Sequence, residues 1–553
     1  MSKRLTVIDF FCGAGGFSEG FHKAGFDVIM GVDNWQPAIT THNVNHGLND
    51  SVKNILDFEN IEEIKKLPNS DIIIGSPPCV QFSLSNRGGN TNKDIGVRLI
   101  KAFYRVVAVK KNQKNSVLKA WLMENVPNSK KYVDPHYSFK DLSLEDWAVS
   151  EGLDPDSIAI SVKENGAILS SNEYGTSQTR KRFVCGELTK TGEFPLPDKV
   201  EIINVSLDRL FKDFPRPMVK KYSPKAKVYD PNYPALSINV SELHDHFYDT
   251  GVYEIEWKKA RNAKRHHPYM GIMSFPENSH KPSRTIMATR SASTREAILY
   301  KSELNRVGDG EYRTPTIREA ATIMGFPLDY QFYGTEATKW RQIGNAVCVQ
   351  LSFALAQKIN ELLNIKQLEP KAISKNFPGI TYLDNPKEKE FNKPPKRSPS
   401  ALFRAHPIKS GNVTIDLTNR TGSKAKDWKV IAYAGTGKGF ISTEVAEKHR
   451  QAAKQILLEK FPEFVEKIEK DPFIRIYTEA ELNKYNEVYG YTVDDINHPY
   501  NVIQRISSYI NSTLLEGDIS ISTHGNALYE IKPKLPISQA MSIFAMSILI
   551  NSS

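Results

Sequence analysis

Cysteine is scarce in this chain of 553 residues, and the four cysteines, at positions 12, 79, 185 and 348, lie far apart. Disulfide frameworks and zinc knuckles need paired spacings, so both are excluded and we expect a reducing, cytoplasmic environment. Long apolar runs are missing as well, since no stretch reaches the roughly 18 residues that span a bilayer. The opening residues, MSKRLTVID, predict an immediate strand rather than a signal peptide.

Length and charge give the next bounds. With 40% hydrophobic residues and a mean hydropathy of −0.43, the chain is expected to form two or three globular domains. The net charge is +10, yet residues 401–553 hold 18 Lys and Arg against 17 Asp and Glu. The basic excess therefore lies in the first 400 residues. It indicates a polyanionic partner there, most simply a nucleic acid.

The first motif combines a strand, a glycine-rich turn and a helix. Leu5–Asp9 predicts the strand, and Phe11, Gly13, Gly15 and Gly16 form the turn. This combination is typical of the nucleotide-binding opening of a Rossmann-like sheet, where glycines let the backbone approach a ligand closely. The spacing matches neither the dinucleotide fingerprint nor a P-loop. An ordinary tight turn is the alternative.

Acidic residues end the following predicted strands. Asp33 ends the second strand about 20 residues after the glycines, where a carboxylate accepts hydrogen bonds from ribose hydroxyls. Asn34 and Trp35 beside it are placed to form a wall for an adenine ring. Asp57 follows two aliphatic residues that predict the end of another short strand. Single acids at strand ends are often only caps, but together these outline a site for an adenosine-containing ligand.

A cysteine follows the next predicted strand. Ile72-Ile-Ile-Gly75 ends at Pro77 and Pro78, which fix two successive φ angles, so the chain is stiff where it presents Cys79. The carboxyl edge of a doubly wound sheet is an open crevice, and a thiol held there is a candidate nucleophile. A small buried thiol is the alternative. The polar, glycine-rich run 83–92 predicts a mobile lid.

Two further polar clusters complete the predicted edge. Glu124 ends a strand that Pro127 terminates, much as the prolines do before the cysteine. Downstream, Gln178, Arg180 and Arg182 alternate with period two, which predicts that they share one face of a strand. Together they would point at an anionic or carbonyl-bearing group.

The order of these motifs resembles that of bacterial C5-cytosine DNA methyltransferases of restriction–modification systems. The matching residues are Phe11-x-Gly13-x-Gly15-Gly16, Pro77-Pro-Cys79, Glu124-Asn125-Val126, Gln178-x-Arg180-x-Arg182 and Arg341-Gln-Ile-Gly344-Asn345-Ala-Val347. The resemblance covers about residues 4–190 and 312–365. It implies S-adenosylmethionine as the cofactor and methyl transfer to carbon 5 of a cytosine flipped out of duplex DNA. A tRNA cytosine methyltransferase on the same fold is the alternative.

The resemblance also implies roles for single residues. Cys79 would add as a thiolate to carbon 6 of the base, and a protonated Glu124 would donate to N3. Arg180 and Arg182 would orient the base and support the thiolate and the carboxyl. The implied cofactor-binding residues are Phe11, Gly13, Gly15, Gly16, Asp33, Asn34, Asp57, Pro77, Asn345 and Val347.

Residues 195–311 are irregular and resemble the family's target-recognition insert. The basic run 257–265 predicts phosphate contacts, and residues 282–290 are similar to the family's recognition signature. A reader of duplex DNA needs a large surface, so this long basic insert favours DNA over tRNA. The predicted DNA-contacting residues, including those on the lid, are Gln81, Ser83, Asn86, Arg87, Gln178, Lys258, Lys259, Arg284 and Arg290.

The expected organisation is α/β, with a Rossmann-like methyltransferase domain in two parts, 1–194 and 312–365, around the target-recognition domain 195–311. Residues 366–400 carry six prolines, which predicts an extended, semi-rigid linker. A separate α+β domain is expected over 401–553. We expect duplex DNA as the partner, no membrane, and a cytoplasmic location on the nucleoid. The pair His244-x-His246 lacks a third ligand, so no metal is expected in the methyltransferase domain.

The tail carries one further pattern. Asp518 lies on an alternating run that predicts a strand, and Glu530-Ile-Lys532 is expected to end another. This loosely resembles the D…E-x-K signature of restriction endonucleases, whose carboxylates would bind Mg²⁺. A regulatory, dimerising or DNA-clamping domain is the alternative.

Overall fold

The computed structural model describes residues 4–78, 93–201, 204–219, 222–265, 272–373, 379–392, 405–421, 424–435, 441–487, 496–515 and 517–550. The chain divides into two compact units, residues 1–390 and 391–553. Within the described ranges, no helix combines the length and the apolar character needed to cross a membrane.

The first unit is built on one mixed sheet. Its order is β2-β1-β3-β4-β8-β7, parallel from β2 to β4 and antiparallel beyond. The strands of the unit are β1 Thr6–Phe10, β2 Asp27–Val32, β3 Ile72–Gly75, β4 Ala120–Asn125, β5 His136–Ser138, β6 Ile158–Ser161, β7 Gly166–Ser170, β8 Lys181–Leu188, β9 Lys227–Tyr229, β10 Ser237–Asn239, β11 Tyr300–Lys301 and β12 Tyr312–Arg313.

Helices cover both faces of this sheet. Ile72 and Ile74 pack into the core on one face and Ile73 into the core on the other, which explains why β3 is an unbroken aliphatic run. The helices of the unit are α1 Gly16–Lys23, α2 Gln36–His46, α3 Ile61–Lys66, α4 Lys93–Asn112, α5 Glu145–Glu151, α6 Leu207–Leu210, α7 Glu254–Arg265, α8 Ile317–Ile323, α9 Glu336–Asn345 and α10 Val349–Leu362. The predicted doubly wound α/β fold is confirmed.

The sheet order places the candidate site. β1 lies between β2 and β3, so the turns after these three parallel strands meet at one edge, together with the end of β4. Ligands of open α/β sheets bind at such a reversal of strand order.

The insert 195–311 has little regular structure of its own. A small core around Trp257, Phe275 and Leu299 supports α7. The last strand of the insert, β11, pairs with β12, so the boundary predicted at residue 311 falls within a two-stranded sheet.

The predicted linker 366–400 is wrong for its first part, because the first unit extends to residue 390. Arg4 donates to the carbonyl oxygen of Glu369 at 2.7 Å, and Leu383, Asp384 and Lys389 hydrogen-bond to the insert. Proline-rich composition predicted an extended backbone, but specific hydrogen bonds hold this extended segment on the methyltransferase unit.

The second unit is α+β. Its antiparallel sheet has the order β13-β14-β15-β16, and a separate pair is formed by β17 and β18. The apolar helix α15 is buried along its whole length. The strands are β13 Ala405–Ser410, β14 Val413–Thr421, β15 Lys424–Ala434, β16 Ile441–Glu444, β17 Ser520–Ser522 and β18 Lys534–Pro536, and the helices are α11 Glu447–Lys460, α12 Pro462–Lys470, α13 Glu479–Glu487, α14 Pro499–Thr513 and α15 Ile537–Ser547.

Candidate active site

A cavity of about 210 Å³ lies at the predicted edge of the sheet. The turns after β1, β2 and β3 form it together with the end of β4, the start of β8 and the end of α9. The predicted site residues that line it are Phe11, Gly13, Asp33, Asn34, Pro77, Glu124, Arg180, Arg182, Asn345 and Val347.

Asp33 joins two of these turns. Its Oδ2 accepts a hydrogen bond from the amide of Gly13 at 3.0 Å, and its Oδ1 accepts one from the amide of Trp35 at 2.9 Å. Burial raises the pKa of Asp33, while the amide hydrogen bonds act in the opposite direction. Each carboxylate oxygen has capacity for a second donor, so Asp33 can accept hydrogen bonds from a vicinal diol in the cavity.

The four residues of the first turn divide into two groups. Phe11 and Gly13 line the cavity, and both have positive φ, 55° and 53°. Gly15 and Gly16 pack elsewhere. A Cβ on Gly16 would lie 2.3 Å from the carbonyl oxygen of Val347, and one on Gly15 would lie 2.6 Å from Tyr330 Oη. These two glycines let the turn approach the closing part of the protein, and their contact with a cofactor stays a prediction.

Asp57 is not brought to the cavity. Its side chain is exposed, and it lies in a 3₁₀ helix, Ile55–Glu59, rather than at the end of the expected strand. Asn54 caps this helix by accepting a hydrogen bond from the amide of Leu56, a helix-start signal that the strand prediction overlooked. The same helix contributes Ile55 to the cavity wall instead.

Glu124 and Arg182 form a buried ion pair at the inner end of the cavity. Arg182 Nε lies 2.8 Å from Glu124 Oε1, and the two side chains are only 11% and 9% exposed. Burial raises the pKa of Glu124, and the guanidinium groups of Arg182 and Arg180 partly oppose that rise. A carboxyl with a raised pKa can hold a proton nearer neutral pH than usual and act as an acid.

Arg180 also lines the cavity but has other hydrogen-bond partners than Arg182, and the expectation that the two act together on the base stays a prediction. Arg180 precedes β8 and donates to three backbone carbonyls, of Ile286, Gly344 and Ala346, at 3.0, 2.9 and 3.2 Å. It therefore joins the insert to the closing part of the catalytic domain.

Two contacts at the cavity had no role assigned from the sequence. Asn125 Nδ2 donates to the carbonyl oxygen of Pro77 at 3.1 Å and so ties the end of β4 to the proline turn. The guanidinium of Arg341 lies 4.6 Å from the ring centre of Trp35. Both residues belong to motifs quoted above, Glu124-Asn125-Val126 and the segment from Arg341 to Val347. Membership of these motifs is the sequence signal that could have identified them as site residues. Cys79, Gln81 and the lid residues Ser83, Asn86 and Arg87 lie outside the described residues.

Gln178 is fully buried. Its Nε2 lies 3.1 Å from Met324 Sδ, and its Oε1 accepts a hydrogen bond from the amide of Ile286 at 3.3 Å. Gln178 thus packs residues of the insert against the C-terminal end of α8, and its contact with DNA stays a prediction.

The predicted DNA-contacting residues of the insert have protein partners. The pairs are Lys258 with Glu254, Arg284 with Glu277, and Arg290 with Glu336. Lys259 follows Lys258 on α7. Their contact with DNA stays a prediction.

The three residues of the suggested nuclease site are held by separate partners. Asp518 Oδ1 accepts from the amide of Ser538, Glu530 lies 3.1 Å from His449 Nε2, and Lys532 donates to Asn412. Glu530 ends a 3₁₀ helix, Ala527–Glu530, so the expectation that it ends a strand is wrong. Among the residues that the structure describes, no group of three His, Cys, Asp or Glu side chains is placed to hold a metal. The nuclease stays a prediction.

The part of the chain that contains the cavity is similar to known proteins. Residues 5–361 match the family model for C-5 cytosine-specific DNA methylase. The Type II methyltransferase M.HgiDI of Herpetosiphon aurantiacus is 27% identical over 382 residues, 68% of this chain and 100% of the relative. M.MthTI of Methanothermobacter thermautotrophicus is 29% identical over 371 residues, 65% of this chain and 97% of the relative. A solved putative prophage DNA modification methyltransferase of E. coli is 23% identical and has a TM-score of 0.41, covering 65% of this chain and 99% of its own.

The family match ends at residue 361, before the second unit, and the relatives cover 65–68% of this chain. The family match includes every described residue that lines the cavity, from Phe11 to Val347. The chain belongs to the C-5 cytosine-specific DNA methylases, and it is an S-adenosylmethionine-dependent DNA cytosine-5 methyltransferase of the Type II restriction–modification family.

Proposed function

We propose that this methyltransferase acts through a covalent adduct between Cys79 and carbon 6 of a cytosine flipped out of duplex DNA. The observation that carries the proposal is the buried pair of Glu124 and Arg182 in the cavity that the Pro77-Pro78 turn also lines. Cys79 follows that turn directly in the sequence. A nucleophile, an acid and its positioning cation are thus supplied from three neighbouring elements.

The cavity suits S-adenosylmethionine by the chemistry of its lining. Asp33 offers carboxylate oxygens for the ribose hydroxyls, and the walls include the aromatic rings of Phe11, Phe17 and Trp35. Asn345 and Val347 close the cavity from the end of α9 and the turn after it. S-adenosylmethionine, when bound, supplies an electrophilic methyl group.

The residues of this chain activate the base. Carbon 5 of cytosine is a weak nucleophile, and addition of the Cys79 thiolate to carbon 6 converts the ring into an enamine-like species. Negative charge then builds toward N3, where Glu124 donates its proton. Arg182 holds Oε1 of this carboxyl, which leaves the second oxygen for the base. After the methyl group is attached, the proton on carbon 5 passes to water and its bonding electrons re-form the C5–C6 double bond as the thiolate leaves carbon 6. N3 then returns its proton to Glu124.

Residues 195–311 form the target-recognition part in this proposal. Helix α7 buries Trp257 in the small core of the insert and carries Lys258, Lys259 and Arg261, which are half-buried, on the rest of its surface. Basic groups on one helix suit contact with phosphates, while other residues of the insert read bases. The recognised sequence follows from bisulfite sequencing of plasmid DNA from an expressing host.

The covalent step is tested with a duplex carrying 5-fluorocytosine at the target. Fluorine cannot leave as a proton does, so the adduct should persist as a slowly migrating band on a denaturing gel. Wild type and the control Cys185→Ser should form this band, since Cys185 is buried beside Tyr104 and does not line the cavity. Cys79→Ser should bind DNA but form no band. Methylation by Cys79→Ser at the wild-type rate would disprove the adduct.

The acid is tested separately. Glu124→Gln keeps the shape of the side chain and removes the proton that the carboxyl donates, so we expect turnover to fall about 10²-fold or more. A rate close to that of wild type would remove Glu124 from the reaction.

A further inference from the structure

Residues 379–390, here called the clasp, lie beyond residue 361, where the family match ends. The clasp is extended and runs along residues 244–251 of the target-recognition part. An isolated parallel bridge joins Tyr248 to Asn385. The clasp therefore belongs to the methyltransferase unit although the family match does not include it.

Asp384 makes the densest set of contacts in the clasp. Its carboxylate accepts hydrogen bonds from the backbone amides of His246 at 3.1 Å, Phe247 at 3.2 Å and Asp245 at 3.4 Å. The ring Nδ1 of His244 lies 3.1 Å from the same carboxylate. Partial burial raises the pKa of Asp384, but the hydrogen bonds from His244 and the amides outweigh this and hold it below its usual value. One side chain of the clasp thus fixes four consecutive residues of the insert.

Aromatic stacking adds a further contact between the clasp and the insert. The rings of Tyr382 and His244 stack at 3.7 Å between centres and 8° between planes. The two histidines of the His244-x-His246 pair therefore have protein partners, because His246 is buried between Thr316 Oγ1 and the carbonyl oxygen of Pro215.

Asp245 connects the insert, the clasp and helix α9. It is fully buried and has a positive φ of 62°. Lys339 Nζ of α9 donates to both carboxylate oxygens at 2.7 Å and to the carbonyl oxygen of Thr381 at 2.7 Å. The amide of Leu383 donates to Asp245 at 3.0 Å. Three parts of the chain are therefore locked at one buried ion pair.

The same helix reaches the cavity. Trp340 Nε1 donates to the carbonyl oxygen of Met287 in the insert at 2.9 Å, and Gln342 and Asn345 line the cavity. Helix α9 therefore carries both the lysine that anchors the insert and part of the cavity wall.

The clasp also ends on the insert. The amide of Lys389 donates to Asp249 at 2.9 Å, and Lys389 Nζ donates to the carbonyl oxygen of Gly251 at 2.9 Å. Arg306 Nη2 also lies 2.7 Å from Asp249 Oδ2. Contacts from Tyr382 to Lys389 therefore follow one continuous edge of the insert.

We infer that the clasp positions the target-recognition part against α9, and that Asp384 is its main positioning residue. A duplex bound by the insert then has its target cytosine aligned with the cavity. The inference rests on the proposed role of residues 195–311 in reading DNA. Because Asp384 hydrogen-bonds to residues 244–247 of the insert and does not line the cavity, its loss should act on DNA recognition and spare cofactor binding.

The test uses the full chain and three substitutions. Asp384→Ala removes the acceptor of the four contacts, and Asp384→Asn keeps an oxygen for the amides. Lys371→Ala is the control, because its partner Asp27 is far from the insert in sequence and the side chain of Lys371 is 59% exposed. For each variant we would measure the KM for duplex DNA, the KM for S-adenosylmethionine, the thermal midpoint, and methylation of sites that differ by one base pair.

Asp384→Ala should raise the KM for DNA about tenfold or more, because small misplacements cost up to about 10²-fold in rate. It should relax the choice of site, and the KM for S-adenosylmethionine should stay within about twofold. Asp384→Asn should lie between Asp384→Ala and wild type, and Lys371→Ala should match wild type.

An unchanged KM for DNA in Asp384→Ala would overturn the inference. So would an equal rise in both KM values, or a loss of activity that follows the folded fraction alone, because each indicates only general stability. Inactive wild-type enzyme, in contrast, would count against the proposed function and not against the clasp.

Discussion

Replacing Arg182 by methionine tests how the protein keeps an ionisable acid in a buried site. Nε of Arg182 and Oε1 of Glu124 are 2.8 Å apart, with side-chain exposures of 11% and 9%. Methionine retains an apolar stem of similar length and removes the guanidinium from the carboxyl. The companion variants are Glu124→Gln and the double substitution.

The size of the effect depends on pH. Loss of one partner from a buried ion pair costs about 3–5 kcal/mol, because the other charge stays buried. Glu124 can reduce this cost by taking up a proton. Burial already raises its pKa, and loss of Arg182, which lowers it, must raise it further. A carboxyl with a higher pKa in the folded state loses stability as pH rises from the unfolded value, about 4.3, through the folded one.

We therefore expect Arg182→Met to lower the free energy of unfolding by about 3–5 kcal/mol at pH 8 and by less at pH 5.5. The double variant carries no carboxyl at this site. It should be more stable than Arg182→Met at pH 8 and should show no such difference between the two pH values.

Urea unfolding monitored by tryptophan fluorescence measures these values. A Trp428→Phe background restricts the signal to residues 1–390, where the other five of the six tryptophans lie. Equal destabilisation by Arg182→Met at both pH values would refute the linkage. Additive losses in the double variant would refute the coupling between the two side chains.

Three other changes have defined outcomes. Burial raises the pKa of Asp9 to about 7. The free energy of unfolding should therefore fall by up to about 4 kcal/mol as the pH rises from 4 to 7. Urea unfolding at pH 5 and 8 should show that Asp9→Asn abolishes this fall. Lys258→Ala and Lys259→Ala should weaken binding to all duplexes alike, and fluorescence anisotropy at several salt concentrations should show the salt slope falling by about 0.9 for each lost phosphate contact; an unchanged slope for Lys258→Ala would mean that Glu254 keeps that lysine from DNA. A chain ending at residue 392 should transfer labelled methyl groups to DNA, whereas one ending at residue 369 should not, because it lacks the clasp; activity in the shorter chain would contradict this.

The sheet and its edge were predictable because their signals are local. An aliphatic run ended by glycine or proline fixed β3 and β4, and the edge of a doubly wound sheet follows from strand order alone. Asp33 and Glu124 could therefore be assigned to one edge of the sheet although they lie 91 positions apart in the sequence.

Roles that depend on distant backbone were not predictable. Period-two alternation placed Arg180 and Arg182 on one face, yet the carbonyls that bind Arg180 lie 106 and 164 residues away at Ile286 and Gly344. In the tail, Asn526 accepts a hydrogen bond from the amide of Leu528 and starts the short helix that contains Glu530. The preceding Gly-Asn pair is a turn signal that the strand assignment passed over.

The clasp shows how much of a linker can be predicted from amino-acid composition. Prolines and charges predict an extended backbone, and residues 379–392 contain neither helix nor strand. Whether an extended segment is free depends on the surface beside it, and here that surface presents three amides and a histidine ring to Asp384. The pair His244-x-His246 was rejected as a metal site because it lacks a third ligand. The stacking of Tyr382 on His244 and the burial of His246 against Thr316 supply the physical reason for both histidines. Sequence alone shows that the pair has no third ligand nearby, but only the fold brings residues 140 positions apart, His244 and Asp384, into contact.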